Sequence, residues 1–438
     1  MGGSQRILTN LSWSAGEQIV RLGLGFIVSL TLARYLGPEQ FGTYSFLQST
    51  VAMTSTLLPL AADQIVQRRL ITQPDCAAST VGAAFALRIA GFVLASLAAC
   101  LIVGFIKSEN PYAFAFCAIA VIALACQSFD LIVVWFASQL KMRDIFWART
   151  PPFFLISGVR GLMVANAVSF YTIVWTIAAD AAVTALGLLV AFKSFNKLSP
   201  FVRFSLAEAK ALLFESWPVF ASLVMAGIYY RLDALMISWL VGDAELGIYG
   251  VAAKISELWN FLPAVVLGTI TPLLIKARSD AVANYTAMLG QTYAGMGIAG
   301  LVISLIMSLF STPICILLFG SQYQASGAVL AIHAWSTVPV FLVLVSNCSL
   351  IIEGRTKIVM LRMLAGLAAN FTLNAVLIPK FGAVGAAMAN VLAYSVAAVS
   401  LLAFRGSRGH VAFAVHSFAP ASLRHLAQTS LQYLRRRW

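Results

Sequence analysis

Long apolar runs separated by short polar joints follow one another along almost the whole chain. A helix needs about 20 predominantly apolar residues to cross a bilayer. With charged joints as boundaries, the pattern predicts twelve spans, near 8–34, 41–66, 78–106, 112–140, 145–167, 169–192, 211–240, 245–275, 285–310, 327–352, 358–378 and 382–404. The stretch 312–320, after Pro313, is too short to cross and reads as a bent or half-inserted extension of the ninth span.

Two joints carry the same punctuation 205 residues apart: Gly37-Pro-Glu-Gln-Phe-Gly42-Thr-Tyr44 and Gly242-Asp-Ala-Glu-Leu-Gly247-Ile-Tyr249. Glycine supplies positive φ angles and tyrosine suits a water boundary, so either joint alone says little. Their matching positions predict two like halves of six spans each. The expected division is an N-lobe over residues 1–200, a C-lobe over 201–404 and a basic tail over 405–438. The most basic joint, residues 193–210, serves as the linker between the lobes.

Composition agrees, with 60% of the 438 residues hydrophobic and 10% charged, against about 25% charged in an ordinary soluble domain. The net charge of +13 first suggests an anionic partner, but topology accounts for most of it, because lysine and arginine are retained on the cytoplasmic side. With the N-terminus inside, 21 of the 29 basic residues fall on cytoplasmic joints or tails. Arg34, Lys107 and Lys380 fall outside, and Arg21, Arg88, Arg160, Arg231 and Lys254 lie within spans. Both termini are then cytoplasmic, and no nucleic-acid partner is needed. The first apolar run exceeds the core of a signal peptide, so no cleaved signal is expected. In the tail, Leu423, Leu426, Leu431, Leu434 and Trp438 recur at helical spacing near Arg424 and Arg435 to Arg437. That pattern suits either an interfacial amphipathic helix or a disordered basic tail.

Charges in spans are costly and usually face an interior, a partner or water. On the first span Asn10, Ser14, Glu17, Gln18, Arg21 and Gly25 share one stripe, with Glu17 placed to pair with Arg21. On the second, Gln48, Ser55, Pro59, Asp63 and Gln67 do the same. Arg88 falls near the midplane of the third span, while Arg160 lies close enough to the end of its span to snorkel. In the second half Tyr229, Tyr230, Arg231 and Asp233 precede Lys254, Glu257 and Asn260. Arg231 and Asp233, two apart, do not face each other, so partners such as Glu257 or Lys254 are expected on the next helix. Internal ion pairs would account for any one of these residues. Two polar stripes together with isolated midplane arginines exceed what packing requires, and predict a wet, net-cationic cavity between the lobes.

The six cysteines fall mostly in apolar runs without disulfide or zinc spacing and read as small hydrophobes. No P-loop, H-E-x-x-H or G-x-S-x-G occurs, and His333, in a span, reads as a hydrogen-bonded helix residue. Neither an enzyme nor a metal or cofactor is expected.

The segments Asn10-Leu-Ser-Trp13, Ala33-Arg-Tyr-Leu-Gly-Pro-Glu-Gln-Phe-Gly-Thr-Tyr44, Arg231-Leu-Asp233, Gly247-Ile-Tyr-Gly-Val-Ala-Ala-Lys254-Ile-Ser-Glu257 and Phe381-Gly-Ala-Val-Gly-Ala-Ala-Met-Ala-Asn390 resemble the Wzx-type polysaccharide flippases of the multidrug/oligosaccharidyl-lipid/polysaccharide exporter superfamily. The resemblance implies an all-α membrane fold of twelve helices, in two six-helix lobes that form a V. It also implies a bacterial inner-membrane location and an undecaprenyl-pyrophosphate-linked oligosaccharide as substrate, with membrane lipids and polysaccharide polymerase machinery as further partners. A monomer is expected. Arg21, Arg88, Arg231 and Lys254 are then candidates for the diphosphate, and Tyr229 and Tyr230 for stacking on sugars. Glu17, Asp63, Asp233 and Glu257 either hold the arginines when the cavity is empty or carry a coupled proton. The alternatives within the superfamily are a lipid II flippase and a cation-coupled multidrug exporter.

Overall fold

A computed structural model describes residues 3–195, 204–280 and 282–404, and among these residues there is no β-strand. The α-helices are α1 (Gly3–Thr54), α2 (Asp63–Thr72), α3 (Ala77–Ile106), α4 (Ala113–Gln127), α5 (Leu131–Ser138), α6 (Met142–Ala165), α7 (Phe170–Phe195), α8 (Leu206–Leu240), α9 (Asp243–Glu257), α10 (Phe261–Asp280), α11 (Val282–Leu309), α12 (Ser311–Phe319), α13 (Ser326–His333), α14 (Thr337–Ile352) and α15 (Thr356–Val399). The tail 405–438 and residues 196–203 of the expected linker lie outside the described residues.

Among the described residues, nine helical stretches are long and apolar enough to cross a membrane. Two of them are double: α1 turns at Gly37 and α15 at Gly382, each with non-helical backbone at the glycine. The 24-residue α6 is long enough as well, but it carries Arg143, Asp144, Arg149 and Arg160. Divided at these glycines, the nine stretches give eleven segments of crossing length among the described residues, and α6 adds one by length alone. The short α12 follows the ninth as a separate stub. Large apolar side chains face outward along these helices, among them Leu101, Phe114, Phe214 and Leu317. In water such exposure would be a liability; in hydrocarbon it is the low-energy arrangement.

The chain forms two compact units, Met1–Arg231 and Leu232–Trp438, whose boundary falls within α8. In the first, Val66, Phe136, Ile145 and Leu212 pack in one cluster, and Val51, Ala95, Ala120 and Leu124 in another. In the second, Leu274, Tyr293, Phe341 and Val345 form the described core.

The repeat heard in the sequence is present in the backbone. Gly37 has φ 73° and ψ 173°, and Gly242 has φ 101° and ψ 175°, a region open essentially to glycine alone. Further on, Leu140 and Gly354 both have positive φ, as do Ala167 and Gly382. Leu140 and Gly354 close the same turn, since Lys141 N donates to Phe136 O and Arg355 N to Leu350 O, five residues back in each case. Short 3-10 turns interrupt corresponding helices at Ser55–Leu57 and Leu258–Asn260, and again at Ser128–Asp130 and Ala334–Ser336.

One boundary departs from expectation. The second span does not run to residue 66: α1 ends at Thr54, and after the 3-10 turn the chain leaves the helix until α2 begins at Asp63. Pro59 is the reason, because it lacks the N–H that would continue the ladder and its ring clashes with the preceding turn. The freed carbonyls of Ser55 and Leu58 accept instead from Leu58 N and Leu60 N. Asp63 therefore sits in the first turn of a new helix, not on a stripe shared with Gln48 and Ser55.

Candidate functional site

In the first unit the charged side chains form three groups. Arg88, on α3, is 3% exposed and puts Nη2 2.5 Å from Asp63 Oδ1, while its Nη1 donates to Gln127 O at 3.4 Å. Its Nε is buried with no hydrogen-bond partner among the described residues, and the Asp63 side chain is 43% exposed. Arg88 is thus no isolated midplane arginine. It is a buried cation held by a half-exposed acid that the Pro59 break brings to it.

In the second group Glu17 lies between Arg21 on its own helix, at 3.8 Å, and Arg149 on α6, at 3.6 Å, and Arg149 also reaches Asp130 at 3.7 Å. Arg21 stands over the Phe153 ring, 5.1 Å from its centroid. The i,i+4 pair expected on the first helix is present. Arg149, which the charge bias put on a joint, belongs to the same cluster as Glu17.

In the third group Arg160 does not snorkel. It is 5% exposed; its Nε donates to Thr176 Oγ1 at 2.9 Å, and Nη2 reaches Thr176 O at 3.0 Å and Asp180 Oδ2 at 3.4 Å. α7 supplies both the carboxylate and a carbonyl, so turning inward satisfies the guanidinium better than stretching outward would. At the end of the unit that the charge bias assigns to the cytoplasm, Arg69 binds Glu208 at 2.6 Å and Glu215 at 2.7 Å, and Arg68 also pairs with Glu215. These contacts join α2 to the start of α8.

The second unit treats its buried acid differently. Asp233 is 5% exposed and accepts from three neutral donors: Asn374 Nδ2 at 2.6 Å, Asn390 Nδ2 at 2.8 Å and Tyr249 OH at 2.9 Å. No ion pair to Asp233 occurs among the described residues, which corrects the expectation that Lys254 would meet it. The Tyr249 hydroxyl, which donates to Asp233, also lies 3.3 Å from His333 Nε2, and His333 Nδ1 meets Ser256 Oγ at 2.6 Å. His333 is therefore the hydrogen-bonded helix residue that its position suggests. Asn374 Oδ1 and Asn390 Oδ1 remain buried without a hydrogen-bond partner among the described residues.

The remaining candidates divide. Arg231 is exposed and makes no hydrogen bond or ion pair with described residues. Lys254 is half-buried and Glu257 exposed on α9. Tyr229 is buried, whereas Tyr230 is 57% exposed. The two rings meet edge to face, with centroids 6.1 Å apart. The cysteines are all free thiols, but Cys315 alone among them is buried and Cys76 is exposed.

The sequence reading missed Asn370, Asn374 and Asn390. A signal was available: Asn370 and Asn374 are four apart in an apolar run and so lie on one face, and amides in such a run need partners. Arg149 and Asp130 were missed because they lie near span ends, where charge is unremarkable.

The comparisons with known proteins agree with this architecture. The profile of a polysaccharide biosynthesis protein family (Polysacc_synt) matches residues 7–277, more than half of the chain. The succinoglycan biosynthesis transport protein ExoT of Rhizobium meliloti (strain 1021) is 23% identical over 340 residues, covering 76% of this chain and 66% of that protein. About a third of ExoT thus has no counterpart in the match. Among solved structures, the lipid II flippase MurJ in an inward-closed conformation superposes with a TM-score of 0.66 at 15% identity, over 96% of this chain and 93% of that one. A multidrug resistance MATE family transporter of the MOP superfamily, inward-facing, gives 0.69 at 12% identity, over 91% and 96%. Identities this low carry the fold alone. The family match over residues 7–277 places this chain, an all-α, multi-pass membrane protein, in the Polysacc_synt family of polysaccharide biosynthesis proteins.

Proposed function

We propose that the protein moves undecaprenyl-pyrophosphate-linked oligosaccharide repeat units across the bacterial inner membrane, by alternating access, for assembly of a surface polysaccharide. The observation that carries this reading is Arg88. A guanidinium 3% exposed, with one donor unsatisfied and a half-exposed carboxylate as counter-ion, is poised to exchange that carboxylate for a stronger anion. A pyrophosphate is such an anion: two unit charges 4 Å apart attract by about 4 kcal/mol at an effective dielectric of 20, and a phosphate bound bidentately would engage two guanidinium nitrogens where Asp63 meets Nη2 alone. Arg231, exposed and unpaired among the described residues, and Arg21, whose Nη1 lacks a hydrogen bond there, are the further diphosphate candidates, with Lys254. Tyr230 is the sugar-stacking candidate. ExoT, a transport protein of succinoglycan biosynthesis, supports a polysaccharide precursor as cargo.

Asp233 supports a coupled cycle. Its charge is balanced by neutral donors only, along a chain of exchangeable protons through Tyr249 and His333 to Ser256. The orphaned amide oxygens beside it suit a small cation equally. Either would neutralise the aspartate in one stage of transport and leave it in another. Glu17 and Asp63, each beside an arginine, act in this reading as resting counter-ions.

The test is replacement in a strain whose surface polymer depends on this gene. Arg88→Ala and Arg231→Ala should each abolish polymer while the protein remains in the membrane, and Arg→Lys should restore part of it, because lysine keeps the charge but not the bidentate fork. Normal polymer from both alanine variants would overturn the assignment.

A further inference from the structure

A groove of about 810 Å³ opens in the second unit between α10 and α14, lined by Thr271, Ile275, Arg278 and Ser279 on one side and Cys348, Ile351 and Ile352 on the other. Its position relative to the bilayer follows from the helices that make it. The crossing stretches that form its walls end at Ser279 and Ile352, so its mouth lies at headgroup depth. Thr271 is eight residues further in, about 12 Å at 1.5 Å per residue. The groove thus descends from the interface into hydrocarbon.

The chemistry changes along that descent. Below the mouth, Ile275 is more than half exposed and the Thr271 hydroxyl is taken up by Leu267 O at 2.6 Å and Cys348 Sγ at 3.1 Å, leaving an apolar floor that Ile351, also more than half exposed, continues to the mouth. At the mouth, the Arg278 guanidinium stands 5.8 Å from the centroid of the Tyr285 ring. Tyr285 is itself fixed by donating to Glu353 Oε1 at 3.1 Å. The sequence at these helix ends carries Lys276, Arg278, Arg355 and Lys357 against Asp280 and Glu353, a net positive balance on this side of the unit. The bias of lysine and arginine assigns this end to the cytoplasm, where the leaflet is anionic.

We propose that this groove is a binding site for an anionic phospholipid, with the phosphate at Arg278 and one acyl chain lying along Ile275, Ile351 and Ile352. The charge decides between occupants. A zwitterionic lipid fills the apolar floor equally well but gains little at the mouth. The chain's own tail carries Arg405, Arg408, Arg424 and Arg435 to Arg437 with no acidic residue, so the basic mouth repels it. The site is independent of the cargo that Arg88 and Arg231 are proposed to bind.

The full-length protein, purified in detergent and supplied with dioleoyl-phosphatidylglycerol or dioleoyl-phosphatidylcholine, tests this by native mass spectrometry. The wild type should retain phosphatidylglycerol preferentially. Arg278→Ala should lower that retention about fivefold, the factor that one basic side chain contributes near an anionic surface, and Arg278→Lys should keep most of it. Ile275→Trp, which fills the groove and alters no charge, should lower retention as well, while Arg143→Ala, an exposed cation of the first unit, should not. Equal retention of the two lipids by the wild type would overturn the proposal, as would full retention by either Arg278→Ala or Ile275→Trp. Gain of phosphatidylglycerol on deleting residues 405–438 would name the tail as occupant and overturn it too.

Discussion

The two units share a backbone frame and differ in how they hold charge away from water. Residues 37 and 242, 140 and 354, and 167 and 382 take up the same unusual φ sign at corresponding joints, and 3-10 turns fall at corresponding points of two helices. In the first unit, arginines are matched to carboxylates: buried Arg88 to Asp63, buried Arg160 to Asp180, and half-buried Arg149 to Glu17 and Asp130. In the second, a buried aspartate is matched to amides and a phenol. Joints are fixed by local sterics, which duplicate with the sequence. Charge pairing depends on side chains from distant helices, and each unit has its own.

The largest expected difference is in transport, and it turns on Asp63. If Asp63 is a resting counter-ion for Arg88, Asp63→Asn should leave a measurable fraction of polymer, because the amide still accepts a hydrogen bond and the cation is more available. Arg88→Ala should leave none. Polymer normalised to membrane-inserted protein separates the two, and equal loss in both variants would mark the pair as structural.

Next comes the Asp233 clasp. Asp233→Ala removes one acceptor group from Asn374, Asn390 and Tyr249 at once. A buried donor left without a partner costs about 1 to 3 kcal/mol, and relaxation among the two amides and the phenol should hold the total to about 3 kcal/mol. Asp233→Asn should cost much less in stability, since its carbonyl oxygen still accepts, yet should stop transport if the aspartate carries the coupled charge. Unfolding midpoints of the purified variants set beside their polymer yields give both halves of the answer. A transport-competent Asp233→Asn protein would remove Asp233 from the cycle.

What could be read from the sequence divides along the same line. The apolar runs of crossing length, the Gly37 and Gly242 joints, the Glu17 and Arg21 pair and the hydrogen-bonded His333 are local or periodic signals, and the structure contains them. The Pro59 break was visible as a proline but not as the end of a helix, so Asp63 was assigned to the wrong element. The partners of Arg88, 25 residues back, and of Asp233, 141 and 157 residues on, depend on how neighbouring helices are rotated about their axes. A polar stripe shows that one face of a helix avoids lipid. It does not show which helix stands opposite.

The smallest effects test the frame itself. Gly37→Ala and Gly242→Ala put a Cβ on backbone at φ 73° and 101°, so each should cost about 1 to 3 kcal/mol, and the two should agree if the joints are equivalent. The third pair of joints should not agree. At Ala167, φ is 50°, so Ala167→Gly relieves left-handed strain of about 1 kcal/mol and returns part of that as entropy of the unfolded chain; the net is a gain of a few tenths. At Gly382, φ is 57°, but a Cβ built there would come 2.6 Å from Glu245 Oε2, the oxygen that already accepts from Ala383 N at 2.8 Å. Gly382→Ala must therefore push the carboxylate off a backbone donor as well as strain the turn, and should cost more than Gly242→Ala does. Thermal midpoints of the four variants order these costs. If Gly382→Ala proved as mild as Gly242→Ala, Glu245 would not be holding the joint, and the second unit would lose the one contact that sets this turn apart from its counterpart at Ala167.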